Sequence, residues 1–286
     1  MKIGNVALVS VVVVLGAVTG CSARADGEDD GRLSESESLL ISDADDANEN
    51  EDTLEGAIEE PLSGADPSDP GSPADGDTDD AVMGKVRTNP GRWFKPAGCI
   101  TTTIVGNVAT HVFAGCTGPY GLVSFNGTIT STYERGGAAL TVTHEATDFK
   151  VNGASVSGKR VVTYTRSGTT ITRTRKGSWS GATKSGVPIT HTADFTMTYD
   201  PTTKCITREG SGTTTIGGRE LSIDVAGYKR CGVGSLGCPE GGTITLSRTK
   251  SENAASVTVE FLGGRQVRYT GPRGGRLTRL LICRSA

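Results

Sequence analysis

The sequence has few of the side chains that most often build catalytic, metal or nucleic-acid sites. Aromatic residues make up 5% of the chain, and it contains three histidines in 286 residues. So few aromatics argue against the stacking platform typical of nucleic-acid binding, and hence against a nucleic-acid partner. Three scattered histidines argue against zinc, which takes three or four converging ligands. We predict no metal, no cofactor and no catalytic residue, and therefore a protein that is not an enzyme.

The sequence also lacks known catalytic motifs, although its acidic side chains leave one enzymatic alternative open. No serine stands in a Gly-x-Ser-x-Gly elbow, and the segment Gly234-Ser235-Leu236-Gly237 lacks that spacing. A carbohydrate-active hydrolase on a β scaffold is the alternative hypothesis, because glycosidases need only a pair of carboxylates. The candidate carboxylates are Glu134, Glu145, Asp148, Asp194 and Glu209.

Two of the histidines lie in similar short segments. Thr143-His144-Glu145-Ala146-Thr147-Asp148-Phe149 resembles Thr190-His191-Thr192-Ala193-Asp194-Phe195, which suggests an internal repeat. If the two segments faced each other, their His and Asp side chains could form a metal site or an acid–base pair. The simpler interpretation is that each histidine occupies a polar strand position beside threonine.

The charge is divided sharply along the chain, although the formal net charge of the whole is −3. Residues 22–83 contain 21 acidic residues and two basic ones, so their net charge is −19. Residues 84–286 contain 26 basic and 11 acidic residues, so theirs is +15. The sequence therefore predicts an acidic arm followed by a basic body, and a basic body attracts anionic polymers.

The chain begins with a short export signal. Lys2 gives a positive start, and residues Val6 to Val18 are nearly all apolar. This run of about 13 residues is too short to cross a bilayer core of about 30 Å as a helix. The segment Val18-Thr19-Gly20-Cys21 then resembles the lipobox of bacterial lipoproteins, in which small residues precede an invariant cysteine. An ordinary secretory signal, cleaved near Ala23 or Ala25, is the alternative.

The lipobox resemblance implies that residues 1–20 are a lipoprotein signal peptide and that Cys21 carries acyl chains such as palmitate. Several acyl chains hold a protein firmly on a bilayer, so a membrane is the first expected partner. An Asp after the lipobox favours the inner membrane in the best-known bacteria, whereas Ser22 stands here and favours the outer one. We expect an outer-membrane-anchored lipoprotein of the cell envelope, on the periplasmic side or at the cell surface.

Residues 21–83 are predicted to be a disordered acidic tether. They are rich in Asp, Glu, Ser, Gly and Pro, and their few apolar residues bury too little surface to offset chain entropy. In the simplest interpretation this arm is a solvated spacer. It could instead fold back and mask the basic body, or carry a surface-export signal in the acidic run Asp26–Asp30.

Residues 84–286 are predicted to form one all-β domain. Apolar and polar residues alternate there with a period of two, and many of the polar positions are threonine. Glycine-containing turns separate the alternating runs, as hairpins require. We expect an antiparallel meander of about 12–14 strands, barrel-like or folded as a sandwich. The clearest runs are 129–133, 140–143, 162–165, 243–246 and 257–261.

Six cysteines lie in the body, and an exported domain is expected to oxidise them to disulfides. Cys99 and Cys116 fall directly opposite each other if the two-residue loop of their hairpin is Asn107-Val108. Cys238 and Cys283 are left to close the C-terminal strands. This connectivity is one of about 15 that six cysteines allow.

A second disulfide is predicted across the hairpin at Gly217-Gly218. Cys205 and Cys231 flank this turn, but they fall one residue out of register. A β-bulge at Gly210, Gly212 or Gly227 would absorb the difference.

The basic body gives the strongest indication of function. Arg173 and Arg175 are two residues apart on a predicted strand, so their side chains share a face. We predict that the domain binds or scaffolds an anionic polysaccharide or an envelope protein, through Arg173, Arg175, Arg265, Arg268 and Arg276. Alternatively, these cations only solvate exposed strand faces and discourage edge pairing.

Three scattered segments of the body resemble a group of uncharacterised envelope lipoproteins of Gram-negative bacteria. The segments run from Cys99 to Gly121, from Asp148 to Gly153 and from Cys238 to Thr245. The resemblance implies a lipid-anchored β domain in the envelope, and it brings no activity and no site residues with it.

Overall fold

The computed structural model describes Glu37, Leu40, Leu62 and residues 79–88, 94–118, 123–182, 186–231, 238–248, 255–272 and 274–280. These residues include the helix α1 (Asp79–Thr88) and thirteen strands. The strands are β1 (Ile100–Val105), β2 (Val108–Thr117), β3 (Ser124–Gly136), β4 (Ala139–Val151), β5 (Ala154–Ser167), β6 (Thr170–Ala182), β7 (Pro188–Asp200), β8 (Cys205–Ile216), β9 (Arg219–Cys231), β10 (Pro239–Arg248), β11 (Ala255–Gly263), β12 (Gln266–Thr270) and β13 (Arg276–Leu280).

All thirteen strands lie in one antiparallel sheet, in the order of the sequence. Two-residue turns connect many neighbours, for example Gly106-Asn107 between β1 and β2 and Gly217-Gly218 between β8 and β9. The sheet is open, because β1 and β13 are its two edges and do not pair with each other. The prediction of an all-β antiparallel meander is therefore confirmed, and its sheet does not close on itself.

Alternation of side chains gives the sheet a buried face, named the inner face, and a solvent-facing outer face. The inner face carries three apolar clusters, one built on β7–β12 and two on β1–β6. One cluster contains four phenylalanine rings in mutual contact, with centroids 5.1 to 6.2 Å apart. The outer face is rich in half-buried threonine, and the hydroxyl oxygens of Thr141 and Thr163 are 3.2 Å apart across β4 and β5.

Part of the acidic arm packs on the inner face. Glu37, Leu40 and Leu62 are helical, and their exposed fractions are 5%, 0% and 0%. Leu40 lies in the cluster of β7–β12, whereas Leu62 lies in a cluster with Phe94. The Tyr133 hydroxyl donates a hydrogen bond to the Leu62 carbonyl oxygen. These arm residues are therefore folded against the sheet.

Helix α1 crosses the predicted boundary between tether and body at residues 83 and 84. Val82 and Val86 are one helical turn apart and pack on Tyr133 and Leu140. Residues 79–83 of the predicted tether are helical, and the apolar side chains of the helix find partners that the strand pattern does not reveal. The rest of the predicted tether and the signal peptide lie outside the described residues. Among the described residues, no helix is long and apolar enough to cross a membrane.

The first predicted disulfide is present, with a different hairpin register. Cys99 and Cys116 are bonded, and their Cα atoms are 5.2 Å apart. The loop is Gly106-Asn107, one residue earlier than predicted, so Cys99 faces Ala114, whose amide donates a hydrogen bond to the Cys99 carbonyl oxygen. A β-bulge in β2 then turns Cys116 toward the inner face.

The second predicted disulfide is present in the predicted register. Cys205 and Cys231 lie opposite each other on β8 and β9, with Cα atoms 4.0 Å apart, and the expected register shift precedes Gly210. Cys238 is disulfide-bonded as well. Its partner lies outside the described residues, as Cys283 does, so the pairing of these two stays a prediction.

Candidate anion-binding face

The lysines and acidic residues of the strands lie on the outer face. Lys159 Nζ is 3.1 Å from a Glu145 carboxylate oxygen, and Lys176 Nζ is 2.9 Å from one of Asp194. Because these cations and anions alternate, the outer face has no excess of positive charge within the described strands. Its acidic side chains are Glu134, Glu145, Asp194, Glu209, Glu220, Asp224, Glu240 and Glu260.

Most strand arginines lie instead on the inner face. Arg173 and Arg175 are 4% and 2% exposed, and the neighbours of Arg175 in the sheet are Val162 and Phe195. Within the described strands, the surplus positive charge of the body is therefore concentrated on this face. Its arginines include Arg135, Arg160, Arg166, Arg173, Arg175, Arg208, Arg230, Arg248 and Arg279.

Aromatic rings are interleaved with these arginines at the centre of the inner face. One row across β5 to β9 reads Tyr164, Arg173, Met197, Arg208 and Tyr228. Sequence reasoning did not find this alternation of cations and rings, because it arises between strands rather than along them.

Phe195 lies between two guanidinium groups of this face. The Cζ atoms of Arg175 and Arg208 are 5.4 and 4.4 Å from the centroid of its ring. A cation placed over an aromatic face is stabilised by about 0.5–2 kcal/mol, with the larger values at sites removed from water. The ring therefore helps to hold two like charges close together.

Hydration explains why arginine and lysine separate between the two faces. A guanidinium group is planar, weakly hydrated and able to stack on rings, whereas an ammonium group is compact and strongly hydrated. Burial lowers the pKa of Arg230, although Tyr228 opposes the shift. Arginine is therefore the cation that this sheet can bury, and its fork of N–H donors matches carboxylate and phosphate groups.

A carboxylate of the acidic arm already lies on the inner face. Glu37 is 5% exposed and packs against Gly271, at the end of β12, where a glycine leaves room for its side chain. Burial of a charged group is costly unless the surroundings compensate it. The position of Glu37 therefore places a carboxyl group of the arm on the inner face.

All three histidines are buried on the inner face, and each is bonded to a hydroxyl group of a neighbouring strand. The Nδ1–Oγ distances are 3.0, 2.8 and 2.8 Å in the pairs His111–Thr102, His144–Ser131 and His191–Thr214. The two histidines of the suggested repeat thus have equivalent surroundings. They are structural partners of hydroxyl groups, in line with the simpler interpretation of the repeat.

Burial changes the titration of two of these histidines. Desolvation lowers the pKa of His111 to about 4. Desolvation also lowers the pKa of His144 to about 3, and the charges of His111 and Arg160 add to this effect. Both imidazoles are therefore neutral at neutral pH.

The metal or acid–base site considered for the two repeat segments is not assembled. His144 on β4 and His191 on β7 are separated by two strands, which places their backbones about 14 Å apart. Asp194 lies on the outer face, where it binds Lys176, and Asp148 is exposed in a bulge of β4. The four side chains therefore do not converge.

A pocket of about 400 Å³, counted with its open mouth, lies beside His144. Its lining is mostly apolar and includes Ile129, Ala146 and Trp179, together with Arg160. The Trp179 ring stacks on the His191 ring, with centroids 5.3 Å apart. Lys159 also contributes to the lining, so the pocket combines two cationic residues with apolar walls.

The five arginines predicted to bind polyanions do not form one surface. Arg173 and Arg175 lie at the centre of the inner face, as their spacing indicated. Arg265 is exposed in the turn between β11 and β12, and Arg276 is exposed on β13. Arg268 lies on the outer face and forms an ion pair with Glu260. The structure therefore separates an inner pair from a group at the C-terminal edge.

The carboxylates considered for a hydrolase are distributed over the outer face. Glu145 and Asp194 are engaged by lysines, and Glu134 and Glu209 lie on β3 and β8, five strands apart. None of these four faces the apolar clusters.

The inner-face arginines that sequence reasoning missed leave a signal in the sequence. Arginine follows an inward-facing apolar or aromatic residue at i+2 in Tyr164-Thr165-Arg166, Ile206-Thr207-Arg208 and Tyr228-Lys229-Arg230. The strand lysines, such as Lys229, occupy the opposite parity. If arginines and lysines had been counted separately at alternate strand positions, the sequence would have identified the face that carries the arginines.

No protein-family model, curated protein or solved structure matches the sequence or the fold.

Proposed function

We propose that the protein is a lipid-anchored, non-enzymatic component of the outer-membrane envelope, whose β domain binds an anionic ligand on its inner face. The observation that carries this proposal is the segregation of charge between the two faces of the sheet. Most strand arginines lie inward among aromatic and apolar side chains, whereas the strand carboxylates face outward. The export signal and lipobox support the location, and the disulfides agree with an oxidising compartment.

The ligand is an envelope polysaccharide that carries carboxylate or phosphate groups. A guanidinium group binds a carboxylate or phosphate group through two parallel hydrogen bonds. Half-buried Arg166 and Arg208 provide the first contacts, since they reach solvent more readily than Arg173 and Arg175. The aromatic rings between the arginines provide apolar surface for the faces of sugar rings.

Replacing the half-buried arginines should weaken binding, whereas replacing the exposed edge arginines should not. We expect Arg166→Gln/Arg208→Gln to lower the affinity for polygalacturonate and for lipopolysaccharide at least about tenfold, because charge-assisted hydrogen bonds contribute about 1.5–3 kcal/mol each. The matched control Arg265→Gln/Arg276→Gln removes the same charge and should change affinity less than about threefold. Calorimetric titration of the full chain over a series of salt concentrations measures both.

The wild-type affinity should also fall as salt rises toward physiological strength. Equal losses in the two double variants, or binding that does not respond to salt, would contradict an inner binding face. Thermal unfolding of each variant shows whether an effect on binding is instead a loss of folding.

The lipid anchor is tested at Cys21. We expect the exported chain to partition into the detergent phase of a Triton X-114 extract, and intact mass to show added acyl groups. Cys21→Ser removes the acylated thiol, so that variant should stay in the aqueous phase or keep its signal peptide. A wild-type chain whose mass shows an unmodified Cys21 would exclude the anchor.

A further inference from the structure

Strand β1 is an edge of the sheet, and its own residues lack the features that usually prevent pairing with another chain. Its six residues, Ile100–Val105, contain no charge, no proline and no bulge, and Val105 is 75% exposed. The opposite edge, β13, carries Arg276 and Arg279. Charged side chains, prolines and bulges are the devices that keep edge strands from associating. Of the two edges, β1 is therefore the one suited to strand addition.

The turn after β1 determines which backbone groups point to the open side. Gly106 has a φ of 57° and begins the two-residue turn that closes on the pair Val105–Val108. The closing pair of such a hairpin exchanges both of its hydrogen bonds, and the pattern then alternates along the strand. The N–H and C=O groups of Ile100, Thr102 and Ile104 therefore point away from β2, toward the edge.

We propose that a second copy of this chain pairs with β1 through an antiparallel, two-fold-symmetric contact centred on Thr102. The strand reads the same in both directions around this residue, as Ile-Thr-Thr-Thr-Ile. Two copies related by a two-fold axis at Thr102 place Ile100 opposite Ile104 and Thr101 opposite Thr103. Both kinds of cross-strand pair, aliphatic on the inner side and Thr–Thr on the outer side, stabilise sheets.

The hydrogen-bonding pattern fits the same axis. The outward backbone groups belong to Ile100, Thr102 and Ile104, and these are the residues that the axis places opposite one another. A pairing centred on Thr101 or Thr103 would bring together residues whose backbone groups already bind β2. The sequence symmetry and the backbone symmetry therefore select the same register.

The edge is also held in a fixed conformation before it meets a partner. The disulfide of Cys99 anchors the start of β1 to the end of β2. In the middle of the strand, the Thr102 hydroxyl is 3.0 Å from Nδ1 of His111. Pre-ordering of this kind reduces the entropy lost on association. The contact is nevertheless small beside the roughly 1,200 Å² of a standard interface, so we expect micromolar association.

A cysteine at the symmetry axis provides the first test. In a hydrogen-bonded antiparallel pair the Cα atoms are about 5.5 Å apart, within the range of a disulfide. We expect the full chain with Thr102→Cys to form a covalent dimer under oxidising conditions, seen on a non-reducing gel. The matched control is Thr278→Cys in the middle of β13, which should remain largely monomeric.

Charge on the outer side of β1 provides the second test and does not depend on cysteine chemistry. Thr101→Lys/Thr103→Lys places lysines opposite each other in the paired strands, and both positions are exposed in the single chain. Sedimentation of the full chain should show a dissociation constant at least tenfold higher than wild type, whereas Thr278→Lys should leave it unchanged. A monomeric wild type, equal cross-linking of the two cysteine variants, or species larger than a dimer would each overturn the proposal.

Discussion

Acidification from pH 7.5 to pH 5 is expected to destabilise the folded domain by on the order of 4 kcal/mol through His111 and His144 alone. Both side chains are buried and neutral in the native sheet, with pKa values lowered to about 4 and about 3. In the unfolded chain each returns to an ordinary value near 6.5. The unfolded state therefore binds more protons below pH 6.5, and stability falls with pH by about 1.4 kcal/mol per unit for each histidine.

The sign of this effect follows from the direction of the shifts. A histidine whose pKa is lowered by folding makes its full contribution to native stability when the pH is above its pKa in the unfolded chain. That contribution is lost as the pH falls toward the folded value. Arg160 is the charged group that faces these rings. Protonation of one imidazole would place a further positive charge near the other. The midpoint of urea unfolding, measured at several pH values between 7.5 and 5, gives the slope directly.

Asparagine at both positions provides the control for the titration. His111→Asn/His144→Asn keeps a polar group near Thr102 and Ser131 but cannot take up a proton in this range. We expect the double variant to be less stable at pH 7.5 and to have a much flatter pH profile. If the variant kept the wild-type slope, the histidines would not be the groups responsible.

Gly210→Ala is expected to destabilise the domain by about 3 kcal/mol or more, because two independent costs coincide there. Gly210 has a φ of 130°, which side chains with a Cβ rarely adopt. Its missing Cβ would also contact the Asp194 carbonyl oxygen and lie 2.7 Å from the Phe195 Cα on β7. Both obstacles belong to the backbone, so no rotamer change relieves them.

Gly136→Ala is the matched control. Gly136 ends β3, its Cβ would meet no atom within 4 Å, and its φ is not positive. We expect a change within about 0.5 kcal/mol. Urea unfolding with equal m-values allows the two variants to be compared. A small effect at Gly210 would mean that β7 and β8 are farther apart at this point than the structure has them.

The sheet could be predicted because each of its hairpins is encoded by residues that are close together in the sequence. Alternation along each strand and glycine at the turns indicate hairpins one at a time, and a meander only joins consecutive hairpins. The register at Cys205 and Cys231 could be predicted to one residue for the same reason. The turn at Gly106-Asn107 was misplaced by one position, because the bulge at Gly115, which brings Cys116 to Cys99, was not included in the predicted register.

The candidate site was predicted less well because it depends on which face is buried. The pair Arg173 and Arg175 was found by spacing, but the burial of their face was missed because arginine and lysine were both treated as residues of the exposed face. The packing of Leu40 and Leu62 was missed for a related reason. A single leucine among acidic residues does not predict packing against the sheet, because the sequence does not show that the sheet has an apolar site for it.

If Cys21 is acylated, the burial of Glu37 and Leu40 limits how far the domain can stand from the membrane. Residues 22–36 then form the link between the anchor and Glu37, which reaches at most about 55 Å when fully extended. The whole arm, if it were unattached, would reach about 210 Å. If Cys21 is acylated, the first quarter of the arm, and not its full length, therefore sets the largest distance between the anchor and the folded domain.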